Sequence, residues 1–252
     1  MIIGINAPAL THVRMSGSLD LLGDRLCELD MRSVRISLTW AAIEPKGNGK
    51  LNAQACARVD RALAALPASA KPLGYLVHPS STVAEDYFHD PSAMSERFAR
   101  YCRLVAKRFP TITDWEIWNE PNASDFYLSV KTETGARPWT PEEFVDHILL
   151  PGARAIKEVQ PDATLCIGAM AEDGVVGHDD RPPALSNRLP KTAEYNKYRA
   201  DGPHSHFYFI PEFWGDLTKI LAARSNEILP LFDACAFHPY PYFRIHHRPD
   251  KT

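Results

Sequence analysis

The residues best equipped for chemistry are Asn119, Glu120 and Pro121, directly after the aromatic and apolar run Trp115-Glu116-Ile117-Trp118. Such a run suits a buried strand, and the break into Asn-Glu-Pro-Asn suits the loop at its mouth. The residue before a proline is biased away from helical torsions, so Glu120 is expected in an extended conformation with its carboxyl held at the strand tip. Asn119 offers an amide that both donates and accepts. A carboxylic acid beside an amide at a strand's C-terminal end can protonate a leaving group while gripping a neighbouring hydroxyl. The competing reading is a strand end whose Asn and Glu only cap a turn.

The elements that position these residues follow a repeating pattern. Ile2 to Ile5 reads as a strand, followed by a helix with Leu19, Leu22, Leu26 and Leu29 at helical spacing. Val34 to Leu38 is a second strand, ending at Trp40, and an Ala-rich helix spans about Ala53 to Leu66. Pro72 to Val77 is a third, with His78 at its tip. Asp90-Pro91 then opens a helix carrying Phe98, Tyr101 and Val105 on one face. After the Trp115 to Trp118 strand, Thr140-Pro141-Glu142-Glu143 has the form of a capping box that starts a helix toward Gln160. Thr164 to Met170 is the next strand. Residues 171–211 form a long irregular segment, read as a binding loop or lid, and Asp216 to Arg224 a helix. Ala234 to Phe237 is the sixth strand, running into His238-Pro239-Tyr240.

Short apolar strands alternating with helices imply an α/β fold with a parallel sheet, and chemistry at strand tips favours a TIM-type (β/α)8 barrel over a doubly wound sheet. About six β/α units are visible. No Gly-x-Gly-x-x-Gly turn or Gly-Lys-Ser/Thr loop occurs, which removes the main support for nucleotide binding.

The six residues Ile117 to Asn122 resemble the strand-four signature of the clan A (β/α)8 glycoside hydrolases, which retain anomeric configuration. The nearest flavour is the branch holding β-xylosidases, α-L-iduronidase and some bacterial exopolysaccharide endoglycosidases. The resemblance implies that Glu120 is the acid/base and that Asn119 contacts the sugar 2-hydroxyl. Arg35 matches an arginine that holds the nucleophile carboxylate in that superfamily; its other reading is a buried ion pair with Glu116. His78, His238 and Tyr240 sit at strand tips where the superfamily lines its subsite. Trp40 and Trp118 are candidates for stacking on a sugar ring, core packing being the safer reading for Trp118.

Retaining hydrolysis needs two carboxyl groups about 5 Å apart. The resembled nucleophile is a Glu at the end of the seventh barrel strand, and the sequence as written ends earlier, because two more β/α units take on the order of 60 residues. Residues 1–252 are therefore expected to form a single, C-terminally incomplete barrel domain. Glu172 and Asp173 are weak substitutes, being ordinary polar loop residues. An open barrel would expose two strand edges, so self-association is expected. Three functions are carried forward: a retaining glycosidase, a truncated barrel that binds glycan without turnover, and a barrel hydrolase or lyase of another class.

Composition narrows the partners. A net charge of −3 without a long basic run argues against nucleic acid and anionic membranes, and a carbohydrate partner is expected. No apolar run is long enough to span a bilayer, and Met1 leads straight into Ile2-Ile3-Gly4-Ile5 without a signal-peptide pattern. As written the chain reads as cytoplasmic, or as secreted or periplasmic if the N-terminus is trimmed. Five scattered cysteines argue for packed thiols. No cofactor is expected and no metal, His178-Asp179-Asp180 and His204-Ser205-His206 reading as solvated loop.

Overall fold

The structure is a computed structural model that describes residues 4–6, 19–77, 79, 91–121, 129–132, 135–170 and 210–237. Its described strands are β1 (Gly4–Asn6), β2 (Ser33–Thr39), β3 (Lys71–Val77), β4 (Asp114–Ile117), β5 (Ser129–Thr132), β6 (Gly135–Pro138), β7 (Thr164–Met170) and β8 (Ala234–Phe237). Six of them form one parallel sheet in the order β1-β2-β3-β4-β7-β8. Each strand pairs with the next in the chain apart from the inserted β5–β6 hairpin, which is the progression of a (β/α) barrel.

Helices connect the sheet strands: α1 (Leu19–Glu28) after β1, α2 (Ala53–Ala64) after β2, α3 (Pro91–Arg108) after β3, and α6 (Ile210–Ala223) between β7 and β8. Between the hairpin and β7 come α4 (Pro141–Phe144), a π-helical turn (Val145–Leu149) and α5 (Leu150–Val159). No described helix is long and apolar enough to cross a membrane.

Alternation along the strands sorts the two faces. Ile36, Leu38, Leu76, Trp115, Ile117 and Leu165 are buried to the last ångström. All but Ile36 share one cluster with Phe98, Tyr101, Val105 and Ile156 of the covering helices. The opposite face carries polar side chains. Ser37, Tyr75, Glu116 and Cys166 lie in one row across β2, β3, β4 and β7.

Several expectations are refined. Helix α1 stops at Glu28, because Asp30 turns to φ +48°, and Leu29 is left exposed. Thr140 and Glu143 make the capping box in both directions. The helix toward Gln160 is interrupted, however, because Pro151 has no N–H for the His147 carbonyl; the chain shifts to π geometry, with Leu150 N–H donating to Val145 O. Helix α6 begins at Ile210, six residues earlier than its expected start at Asp216. The β5–β6 hairpin had no counterpart in the sequence reading.

Candidate active site

The tip of β4 is built from its base upward. Trp115 Nε1 donates to Gln160 Oε1 at 2.8 Å, and Gln160 Nε2 donates to Ala106 O at 3.0 Å, so the strand's start is tied to the ends of α3 and α5. Farther along, the backbone is pinned from both sides. Trp118 N donates to Leu76 O of β3 at 3.0 Å, and Glu120 N donates to Ala169 O of β7 at 2.6 Å.

Between these anchors the chain leaves strand geometry. Trp118 has φ +69° and Glu120 φ +50°. Glu120 thus avoids the right-handed helical region, as Pro121 requires, but adopts the left-handed side and not the expected extended conformation. The bond to β7 holds it there. Positive φ in non-glycine residues costs of order 1–3 kcal/mol each and persists only where the surroundings enforce it. Gly168 makes the close approach possible: a Cβ at that position would lie 2.5 Å from Trp118 O and 2.6 Å from Ile117 O.

Glu120 is buried, at 5% exposure, and Asn119 beside it is nearly as enclosed. Beneath them lies an ion pair. Arg35 Nε is 2.5 Å from Glu116 Oε2, and Arg35 Nη2 is 2.9 Å from Glu116 Oε1, a bidentate fork around a carboxylate that is 1% exposed. Arg35 Nη2 also donates to Asn119 Oδ1 at 2.8 Å, and Nη1 to Asn6 Oδ1 at 3.3 Å. The guanidinium carbon stands 3.6 Å from the centroid of the Tyr75 ring, a cation–π contact. Ala169 N completes the Glu116 shell by donating to Oε1 at 3.2 Å. The ion pair with Glu116, one of the two readings of Arg35, is present.

Trp40 requires a correction. It is fully enclosed, stacked on Tyr101 at 5.1 Å and 12°, and its Nε1 donates to Glu44 Oε2 at 2.8 Å. Its ring faces are used for packing, so a sugar has no access to them. Trp118 is likewise core, edge-on to Phe98 at 5.5 Å. His78, Glu172, Asp173, His238 and Tyr240, with both His/Asp clusters and the loop residues 171–209, lie outside the described residues. Sequence reading assigned no site role to Tyr75, Asn6 or Gly168. Tyr75 was findable by two-residue alternation from Val77; the other two are defined only by contacts between strands.

The Cys166 thiol, in the inward row beside Glu116, carries a consequence for pH. Burial, with the Glu116 charge nearby, pushes the Cys166 thiol up to about 12. In the unfolded chain thiols titrate near 9.0, so above that pH the unfolded state binds fewer protons and stability falls. The contribution is complete below pH 9 and is lost as pH rises toward 12. The guanidinium midpoint is expected to drop between pH 8 and pH 10.5, with a shallower drop in Cys166→Val; parallel slopes would contradict the assignment.

Comparison with known proteins supplies the lineage. The family model for glycosyl hydrolase family 1 matches residues 19–234. The chain belongs to glycosyl hydrolase family 1. This family 1 chain resembles an exo-β-1,4-mannosidase, Op5Man5 from Opitutaceae bacterium strain TAV5, at 22% identity and a TM-score of 0.53, covering 67% of this chain and 32% of that one. It resembles the virulence factor SghA in complex with its substrate analogue salicin at 16% identity and a TM-score of 0.53, covering 90% and 57%. A β-glucosidase from Thermotoga maritima in complex with cyclophellitol aligns at 15% identity and a TM-score of 0.50, covering 66% and 48%. At these identities the likeness is one of fold, and the family 1 chain spans from a third to under three fifths of those chains. A search of the curated proteins returns no match.

Proposed function

We propose that this chain carries the acid/base half of a retaining glycoside hydrolase acting on O-glycosidic bonds of an oligo- or polysaccharide. Glu120 is the acid/base, Asn119 the contact to the 2-hydroxyl, and Arg35 the cation beneath them. The observation that carries the reading is the enclosed Glu120 carboxyl at the β4 tip, backed by the Arg35–Glu116 fork that reaches Asn119. Family membership supports the reaction class. In the Ile117 to Asn122 motif we read affinity with the β-xylosidase, α-L-iduronidase and exopolysaccharide endoglycosidase branch. His78, His238 and Tyr240 remain part of the proposal as subsite residues.

The proposal needs a second carboxylate. Among the described residues the other buried carboxylates are Glu44 and Glu116. Glu44 accepts Trp40 Nε1 and Gly49 N, and Glu116 is committed to Arg35, so neither is free to attack an anomeric carbon. The proposal takes the nucleophile from outside the described residues. That same observation favours a second reading, a barrel that binds glycan without turnover.

The deciding experiment is hydrolysis of a panel of 4-nitrophenyl glycosides of both anomers, with the first-formed sugar followed by proton NMR. Release with retained configuration is the expected result. Inversion would discard the mechanism, and saturable binding without release would select the second reading.

A further inference from the structure

We propose that Glu116 is a positioning residue for this reaction: its carboxylate fixes Arg35, and Arg35 fixes which way the Asn119 amide faces the cleft. The inference rests on the glycosidase reading above and adds to it a residue four positions before the acid/base.

The guanidinium of Arg35 is constrained on its edge and on its face. Both Glu116 oxygens take its Nε and Nη2 hydrogens at 2.5 and 2.9 Å, and the Tyr75 ring lies against its plane at 3.6 Å. Glu116 in turn is held by Ala169 N at 3.2 Å and by its position inside β4. With that plane fixed, Nη2 points its second hydrogen at Asn119, 2.8 Å away. The oxygen and nitrogen of an amide differ in what they exchange: only Oδ1 can accept this charge-assisted bond, and a turned amide would set Nδ2 donors against guanidinium donors. Asn119 therefore has its acceptor taken from below, and among the described residues no hydrogen bond occupies its two N–H donors, which can face a ligand. Its partner on a sugar is a hydroxyl oxygen, and a hydrogen bond to the 2-hydroxyl that strengthens toward the transition state is the kind that raises turnover.

A carboxylate is required for this arrangement. In Glu116→Gln one acceptor becomes an NH2 group that meets a guanidinium N–H, the fork loses a bond, and the plane of Arg35 is released. On the 4-nitrophenyl glycoside that the wild-type chain hydrolyses fastest, kcat/KM is expected to fall about ten- to hundredfold, chiefly in kcat. On its 2-deoxy analogue the rate is expected to be nearly unchanged. In an Asn119→Ala background Glu116→Gln is expected to add almost nothing, because both act through one contact. Equal losses on the two substrates, or losses that multiply in the double variant, would make Glu116 merely structural and overturn the proposal.

Two controls keep the outcomes separate. If Glu116→Gln does not fold, Arg35→Lys keeps the charge but not the fork and should give the same 2-hydroxyl-selective loss; a loss equal on both substrates overturns the relay. If the wild-type chain and Glu120→Gln turn over no glycoside, the glycosidase reading fails by itself. The relay is then read from the Asn119 side-chain amide signals by nitrogen-15 NMR. Those signals should shift and broaden in Glu116→Gln; unmoved signals overturn it.

Discussion

Glu120→Gln is expected to lower kcat on saccharide leaving groups by about 10²–10⁴-fold, the range typical of a general acid. The substitution keeps the volume and the Glu120 N to Ala169 O bond, so the tip of β4 should stay in place and the loss should be one of chemistry. Two further signs distinguish that loss from misfolding. A 4-nitrophenyl leaving group needs little protonation, so its first step should be much less impaired than that of a saccharide. Azide, which attacks without a general base, should restore turnover and yield a glycosyl azide with retained configuration. A variant as fast as the wild-type chain on saccharides would remove Glu120 from the mechanism.

The second large effect is expected at Gly168. A methyl group there would sit 2.5 Å from Trp118 O, 2.6 Å from Ile117 O and 2.7 Å from Trp118 C, all backbone atoms that no rotamer change can move aside. Overpacking against side chains costs about 1–3 kcal/mol. Against a backbone already held at positive φ the Gly168→Ala cost should reach the upper end, or roughly 6–12 °C in melting temperature. Because the displaced segment carries Asn119 and Glu120, kcat should fall together with stability. An unchanged melting temperature and kcat would mean that the two strands are farther apart than described.

Much of the scaffold was legible because its signals are local. The strands Thr164–Met170 and Ala234–Phe237 have the expected ends, and the Thr140 capping box depends on residues three apart. What escaped depends on contacts across the sheet. Nothing in the sequence near Glu120 encodes φ +50°; that value comes from a hydrogen bond to a strand about fifty residues away. The hairpin was missed because Ser129–Thr132 and Gly135–Pro138 are polar and short, with neither apolar alternation nor an Asn-Gly turn. Trp40 was misread because an aromatic residue at a strand end looks the same in sequence whether its face meets a ligand or Tyr101. For Arg35 the pairing with Glu116 was foreseeable as a possibility, and only geometry could show that it forms.

The tryptophans give the protein an optical consequence. Of the five, Trp40, Trp115, Trp118 and Trp139 are wholly enclosed, while Trp214 on α6 is 37% exposed. Three of the enclosed four lie in or directly after β2 and β4, the strands that carry Arg35 and Glu116 and that lead to Asn119 and Glu120. Emission from the folded chain is therefore dominated by indoles shielded from water, and iodide should reach one fluorophore in five. Intrinsic fluorescence reports whether the floor of the site is assembled, and selective quenching of Trp214 leaves that signal to be read almost alone.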